Sequence, residues 1–184
     1  MKLNLRKKNK GFTLVEILLV VGFIALASIG IYAVYNKVQS QSKANGLSTD
    51  LQTLRAGIKN LYGGNTNYAT LTNTVIENAR IAPSTILTGT PGTFQNAFGG
   101  TLVVTPVTLA GGAANNGFAI TINQLPGDVC TKLLAAVGPS FEQVGTAAGG
   151  ATIKNAATAN QVIDGAAIAT ACTGDNRVLS FQSF

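Results

Sequence analysis

The chain contains no histidine among its 184 residues. This absence removes the usual acid–base catalyst near neutral pH and the commonest metal ligand. Acidic side chains are scarce as well: there are seven, none of them in a close pair, and neither a phosphate-binding P-loop nor a Gly-x-Ser-x-Gly motif is present. Asp164 and Asp175 lack the neighbouring oxygen ligands of a calcium loop. The sequence therefore predicts a protein that is not an enzyme and holds no cofactor.

Charge is also missing from a long stretch near the beginning of the chain. From Ile17 to Asn36, 20 mostly apolar residues follow one another without a charged side chain. A helix of this length covers about 30 Å of hydrocarbon. The stretch is preceded by a basic leader, residues 1–11, and by Glu16. A carboxylate costs about 2.5–3.5 kcal/mol at the bilayer centre, so we expect Glu16 to have a function.

The beginning of the chain has three interpretations. A cleaved secretory signal has an apolar stretch of about 7–15 residues and a small-x-small cleavage site. Here the stretch is longer and is followed by Tyr35-Asn-Lys-Val without Ala-x-Ala. A simple membrane anchor fits the length but does not explain Glu16. The third interpretation places a cut before the apolar segment, between Gly11 and Phe12, so that the helix stays in the mature protein.

Residues 10–16, Lys-Gly-Phe-Thr-Leu-Val-Glu, resemble the prepilin processing site of type IV pilins and their relatives. In that family an inner-membrane peptidase cleaves after the glycine and methylates the new terminal amine. The resemblance implies that Gly11 ends the leader and that Phe12 becomes the N-methylated first residue. It also implies that Glu16 corresponds to the family's glutamate four residues after the cut.

The chemistry of Glu16 favours an assembly role independently of the resemblance. A carboxylate in apolar surroundings is stabilised by a cation, and cleavage creates one nearby, the amine of Phe12. If both residues belong to one helix they lie one turn apart, so the pair can form within the chain. A pair with a neighbouring subunit would instead set the axial register of an assembly. Alternatively, Glu16 reaches the lipid headgroups and has no partner.

The leader carries five of the thirteen basic residues: Lys2, Arg6, Lys7, Lys8 and Lys10. Its removal lowers the net charge from +6 to +1. The overall basic character is therefore weak support for nucleic-acid binding. The positive-inside rule explains the cluster better, since it keeps residues 1–11 in the cytoplasm and sends the remainder out.

Helical periodicity continues beyond the apolar stretch. Apolar residues recur with spacings of four, three, four and three: Leu47, Leu51, Leu54, Ile58 and Leu61. No proline interrupts residues 12–62, and Gly63-Gly64 is typical of a helix end. We predict one helix of about 50 residues, with residues 12–36 as a transmembrane and assembly half and 37–62 as an amphipathic half. Gly22 and Gly30 fit either close helix–helix contact or a stretch that partly unwinds in a filament.

Residues 63–184 are predicted to form one small globular head, rich in Gly, Ala, Thr and Asn. Helices are predicted over 70–80 and from a cap at Asp128 to Val137, and strands over 101–105, 118–123 and 177–184. The segment 145–171 has no clear pattern. A helix followed by strands predicts an α+β fold, with an antiparallel sheet packed against the long helix.

The chain has only two cysteines, Cys130 and Cys172, and no Cys-x-x-Cys motif. With a cytoplasmic leader, both lie in the periplasm or outside the cell, where disulfides form. We therefore predict a Cys130–Cys172 disulfide in preference to two buried thiols or a redox-active pair. In the chain-entropy estimate, closing this loop stabilises the head by about 4 kcal/mol.

Features of the head resemble one class of type IV pilins, the type IVb pilins. Their C-terminal region is bounded by a disulfide and begins with a helix, similar to Asp128-Val-Cys-Thr-Lys-Leu-Leu here. The segments beginning at Leu61, Asn96 and Gly117 look like the major pilins of thin conjugative and enteric pili. The short leader and Phe12 as first residue are instead more usual in type IVa. The resemblance implies a helical spine with an antiparallel sheet of four or five strands.

The resemblance also implies a structural function. The chain would be the major subunit of a type IVb pilus, held in the bacterial inner membrane with a cytoplasmic N-terminus and polymerised with itself into an extracellular filament. The filament would serve adhesion, aggregation or conjugative mating. Expected partners are prepilin peptidase, the inner membrane with the pilus assembly machinery, and a host or recipient-cell surface, with no direct nucleic-acid contact. A minor tip adhesin and a secretion-system pseudopilin are the alternatives.

Overall fold

The computed structural model describes residues 11–65, 67–109, 111–147, 153–155 and 162–184. Its longest element is one continuous helix of 49 residues, α1 (Leu14–Tyr62). The predicted single helix over residues 12–62 is confirmed, with a start two residues later. The chain divides into two compact units, one ending at Gln39 and the other beginning at Ser40.

The second unit contains an antiparallel sheet. Within the described residues its six strands are β1 (Phe94–Gln95), β2 (Thr101–Val107), β3 (Gly117–Leu125), β4 (Gln143–Gly145), β5 (Lys154–Asn155) and β6 (Arg177–Ser183). They lie in the order β1-β2-β3-β6-β4-β5, with every neighbouring pair antiparallel. The α+β prediction is confirmed, and the three predicted strands form the adjacent pairs β2-β3 and β3-β6.

The strand number differs from the expected four or five. The edge strands β1 and β5 are each two residues long, which is too short to show an alternating pattern in the sequence. The central strands β3 and β6 contribute many of the buried core side chains. Ile120 faces Phe181 and Ile122 faces Leu179 across this pair, and all four side chains are fully buried.

One face of the α1 segment in the second unit is buried in the same core. Leu47, Leu51, Leu54 and Ile58 are at most 1% exposed, and Ala44 extends the stripe towards the N-terminus. Each of the four large side chains contributes about 1.5–3 kcal/mol through burial. The predicted amphipathic stripe is therefore what joins this part of the helix to the head.

The last predicted member of the stripe, Leu61, is 45% exposed. The ring of Tyr62 packs inward in its place, 4.8 Å from the ring of Tyr68 between centroids. The helix ends here because Gly63 and Gly64 both adopt positive φ angles, of 55° and 87°, which turn the chain out of the helix.

The second unit also contains shorter helices, α2 (Asn73–Asn78), α3 (Gly127–Val137) and α4 (Gly165–Ala171). Helix α2 is shorter than the predicted 70–80 because Thr72 caps it, its hydroxyl accepting the N–H of Val75 at 3.3 Å. Helix α3 is found where predicted, but Asp128 is not its cap. The helix starts at Gly127 directly after Pro126, whose fixed φ favours a helix start, and Asp128 lies inside the first turn.

Helix α4 lies in the segment where the sequence shows no clear pattern. Asp164 caps it, since its carboxylate accepts the N–H of Ala166 at 2.9 Å. No residue of α4 is fully buried. Ala167, Ile168 and Ala171 pack against the core while staying partly exposed. In an alanine-rich segment such a face gives little periodic contrast in the sequence.

The predicted disulfide is present in the fold. Cys130 on α3 is bonded to Cys172 at the end of α4, with the two Cα atoms 5.5 Å apart. The start of α3 approaches this bond closely. A Cβ on Gly127 would lie 2.5 Å from the carbonyl oxygen of Cys172 and 2.7 Å from that of Gly174, so only glycine fits.

A buried lysine, Lys154 on β5, is hydrogen-bonded to the backbone segment that follows α3. Its ammonium donates hydrogen bonds to the carbonyl oxygens of Gly138, Pro139 and Phe141 at 3.3, 2.9 and 2.6 Å. Burial lowers the pKa of Lys154, and the nearby carboxylate of Glu142 opposes this shift. Three carbonyl acceptors match the three N–H donors of one ammonium group.

Lys154→Met should lower the free energy of unfolding by about 2–3 kcal/mol, because it removes charge-assisted hydrogen bonds and leaves buried carbonyls without a donor. The measurement is urea unfolding of the full chain in detergent. Lys132→Met is the control: Lys132 forms an exposed pair with Asp128 at 3.6 Å, and its loss should cost less than about 1 kcal/mol. Equal losses in the two variants would contradict the assigned role of Lys154.

Candidate assembly site in the N-terminal unit

The predicted processing residues stand at the start of α1. Gly11, Phe12 and Thr13 precede the helix. The N–H of Glu16 is bonded to the main-chain oxygen of Thr13 at 3.0 Å and to its hydroxyl at 3.3 Å. Thr13 therefore caps the helix, and the first helical turn is fixed directly after the predicted cut.

Glu16 is the third residue of α1 and lies exposed in the first turn. The free N–H groups of that turn and the helix dipole stabilise a negative charge at this position. Phe12 lies outside the helix, which begins at Leu14. Phe12 and Glu16 are therefore not one turn apart in a single helix, as the sequence analysis considers. The physical reason is the cap, because the backbone leaves helical geometry at Thr13.

Phe12 and Glu16 nevertheless border the same shallow depression of about 260 Å³, which is also lined by Ile17, Val20 and Val21. Phe12 is 81% exposed. The structure thus brings the two predicted residues to one surface with an apolar floor. An apolar side chain and a carboxylate side by side form a patch that a neighbouring apolar helix with a matching cation could cover.

The remainder of this unit is exposed and mostly apolar. No residue from 11 to 39 is buried within the described chain. The exposed large apolar side chains are those of Leu14, Val15, Ile17, Leu18, Leu19, Val20, Val21, Phe23, Ile24, Leu26, Ile29, Ile31, Tyr32, Val34, Tyr35 and Val38. By length and composition this helix can cross a membrane. So large an apolar surface marks contact with lipid or with other proteins.

Gly22 and Gly30 lie on this surface without any intrachain contact. A Cβ added to either would have no atom within 4 Å in the described chain, apart from the helix's own backbone. Their lack of a side chain is therefore not required by packing within the monomer. This leaves close approach of another helix, or a weakened helix, as the reason for glycine.

Sequence reasoning missed Thr13, although a signal was present. Thr-x-x-Glu over residues 13–16 is the capping-box signature, which places a helix cap on the threonine. The two cysteines of the predicted site belong to the second unit and are described above. Among the described residues, no group of three or more His, Cys, Asp or Glu side chains is placed to hold a metal ion.

The head contains a charged cluster that sequence reasoning also missed. Arg55 and Lys59 on α1 approach Oε1 of Glu142 at 3.3 and 3.6 Å. The guanidinium of Arg55 also donates to the hydroxyl of Ser183 at 3.1 Å. Glu142 precedes β4 and is 87 positions from Arg55. No local pattern connects residues at such a distance in sequence.

The long helix, the antiparallel sheet and the disulfide-bounded region together define a type IV pilin fold. Among solved structures, the crystal structure of TcpA, a type IV pilin from Vibrio cholerae El Tor biotype, matches with a TM-score of 0.54 and 19% identity. The match covers 79% of this chain and 99% of that chain. Residues 41–183 match the family described as PilS N terminal. The chain belongs to this PilS family.

Two proteins of similar sequence are a pilus subunit and a pilin by name, which agrees with the family match. The major structural subunit of bundle-forming pilus from Escherichia coli O127:H6 (strain E2348/69 / EPEC) is 28% identical over 131 residues, which is 70% of this chain and 65% of that protein. The toxin coregulated pilin of Vibrio cholerae is 25% identical over 145 residues, 78% of this chain and 64% of that protein. The chain thus spans slightly less than two thirds of the length of these relatives. Together with the family match they support the predicted type IVb class.

Proposed function

We propose that this chain is the major structural subunit of a type IVb pilus. The observation that carries the proposal is the apolar surface of α1 up to Val38, which is exposed over its whole length. Such a surface needs to be covered, by lipid before assembly and by helices of other copies afterwards. The relative named as the major structural subunit of bundle-forming pilus supports this role. The role is structural and non-enzymatic.

In the proposed pathway the four segments of the chain have separate tasks. Residues 1–11 are the leader that prepilin peptidase removes after Gly11, and Phe12 becomes the N-methylated first residue. Residues 12–36 span the inner membrane and later form the filament core. Residues 37–62 carry the head, and residues 63–184 form it. Of the leader, only Gly11 belongs to the described residues.

Before assembly the chain is held in the bacterial inner membrane with its N-terminus in the cytoplasm. Its partners are then the peptidase and the pilus assembly machinery. After assembly it lies in an extracellular filament, whose partners are further copies of the chain and a host or recipient-cell surface. The filament serves adhesion, aggregation or conjugative mating.

Assembly exchanges lipid contacts for contacts between apolar helices, which changes little apolar burial. The axial register must therefore come from a more specific interaction. We assign it to Glu16 and the new amine of Phe12, since opposite charges in an apolar environment strongly favour one position over others. The exposed position of Glu16 in the first turn leaves its carboxylate accessible to such a partner.

Mass analysis of sheared surface fibres tests the proposal. We expect this chain to be the main component of the fibres, with residues 1–11 missing and one methyl group added. A control sample of the membrane fraction from cells without prepilin peptidase should contain the unprocessed chain. Retention of the leader in fibres would contradict the processing site, and a rare position at the fibre tip or an absence of long fibres would contradict a major subunit.

A further inference from the structure

The head has an open cleft of about 690 Å³ beside the end of α1. Its lining includes the side chains of Lys59, Asn65, Tyr68 and Phe184 and the small residue Gly112. The volume lies within the range of about 300–1,000 Å³ that is typical of small-ligand sites. With Asn116, the lining combines one cation, two amides, one phenol and one partly exposed aromatic ring, which is a set of groups suited to a polar ligand.

Tyr68 is the most buried of these side chains. The residue is only 5% exposed, and its ring lies between those of Tyr62 and Phe118, with centroids 4.8 and 5.3 Å away. Its own N–H is bonded to the carbonyl oxygen of Asn115 at 2.8 Å. Packing on both sides and a main-chain bond hold the phenol in one position, so the cleft has a rigid wall.

The Tyr68 hydroxyl has no hydrogen-bond partner among the described residues. The neighbouring Tyr62 differs, since its hydroxyl pairs with that of Thr70 at 3.2 Å. A polar group in a side chain that is otherwise buried normally has a partner. Burial raises the pKa of Tyr68, and the charges of Glu142 and Tyr62 raise it further. The phenol therefore stays protonated at neutral pH and is available as a donor to a ligand.

Positive charge exceeds negative charge next to the cleft. Glu142 is the carboxylate of the cluster, and it faces Arg55 and Lys59 directly and influences the pKa of Lys154. The side chains in direct contact in this cluster are therefore two cations and one anion. Lys59 is the cation that lines the cleft and, with 37% of its side chain exposed, is open to a ligand.

The donor set favours a carboxylate over a phosphate. A phosphate group presents three strong acceptor oxygens, and the Arg55 guanidinium that could serve the third one is already bonded to Glu142 and Ser183. The remaining donors are a point-like ammonium and a phenol, which two oxygens of one carboxylate can accept. Asn65 and the partly exposed ring of Phe184 suit the hydroxyl groups and the C–H face of a sugar ring.

We propose that this cleft binds a carboxylated sugar. Its carboxylate accepts hydrogen bonds from the Lys59 ammonium and the Tyr68 hydroxyl, and its ring lies against Phe184 and Asn65. A major subunit repeats along a filament, so a cleft of modest affinity gains strength from many copies. The binding itself is a property of the single head and does not depend on filament assembly.

Calorimetric titration of the full chain in detergent micelles tests the proposal. The probe is methyl glucuronide, and the matched neutral sugar is methyl glucoside, which has a hydroxymethyl group in place of the carboxylate. We expect the glucuronide to bind at least about tenfold more tightly, since hydrogen bonds to a charged group are about twice as strong as those to a neutral group. Binding should weaken with added salt because Lys59 is partly exposed.

Two pairs of variants connect the binding to named groups. Tyr68→Phe removes one oxygen and should weaken glucuronide binding about tenfold, whereas Tyr62→Phe, its stacked neighbour, should leave binding unchanged. Lys59→Gln should weaken binding by a similar factor, and Lys132→Gln, which breaks an ion pair of the same 3.6 Å length elsewhere, should not. Thermal unfolding of each variant confirms that the head is folded.

The result that would overturn the proposal is equal affinity for glucuronide and glucoside, or no detectable binding of the glucuronide. An unchanged affinity in Tyr68→Phe would also overturn it, because that variant keeps the ring and its stacking. If acetate binds as tightly as the glucuronide, the sugar ring makes no contact and the assignment to a sugar is wrong. Because the titration uses monomers in micelles, a failure of the pilus assignment would appear in the fibre experiment and not here.

Discussion

Glu16→Val should give a protein that enters the membrane and loses its leader but forms few filaments. The variant keeps the apolar helix and the Gly11–Phe12 junction, so insertion and cleavage have what they need. It loses the carboxylate that we assign to the axial register. Removing one partner of a buried ion pair costs about 3–5 kcal/mol, so the yield of sheared fibres should fall by at least about two orders of magnitude. Quantitative blotting of the fibre and membrane fractions measures both steps.

A second variant separates assembly from helix capping. Glu16 also contributes to the start of α1, where its N–H is bonded to Thr13 and its charge favours the helix dipole. Thr13→Ala removes the capping hydroxyl and keeps the carboxylate. We expect Thr13→Ala to form fibres at nearly normal yield. A loss of fibres in Thr13→Ala as large as in Glu16→Val would show that the helix start matters and not the charge. Normal yield from Glu16→Val would contradict the register role.

Replacing both Cys130 and Cys172 by alanine should cost the head about 4 kcal/mol, as the chain-entropy model predicts for the loop they close. The free energy of unfolding of native proteins is about 5–15 kcal/mol, so this loss leaves the head with little stability. The effect should be largest at α4, because no residue of that helix is fully buried and the disulfide attaches its end to α3.

Two measurements test the role of the disulfide. Urea unfolding of the full chain in detergent gives the stability difference, and dithiothreitol added to the native chain should reproduce it. Hydrogen exchange should show that residues 165–171 lose protection first, while the β3–β6 pair keeps most of its protection. Stability within about 1 kcal/mol of the native chain, or uniform loss of protection across the sheet, would contradict this account.

The N-terminal features were predictable because each depends on neighbouring residues. The apolar stretch is continuous in sequence, and Thr13 could have been found from its spacing to Glu16, whereas the cut between Gly11 and Phe12 stays a prediction. The stripe from Leu47 to Ile58 likewise depends on one helical period. That period does not indicate where a helix ends. It therefore predicts that Leu61 faces the core, whereas in the structure Leu61 is exposed and the ring of Tyr62 packs inward.

The membrane-length helix, the amphipathic half that follows it, the α+β class and the cysteine pair could all be predicted from the sequence. These features depend on local periodicity, on composition, and on the compartment that the charge pattern predicts for the head. The strand order, the three carbonyls that Lys154 binds and the cleft lined by Lys59, Tyr68 and Phe184 are known from the folded structure alone. Groups that meet in the head are far apart in sequence: Arg55 is 87 positions from Glu142 and 128 positions from Ser183. Contacts at such distances are set by how the sheet closes the core, and no repeating pattern along the chain records them.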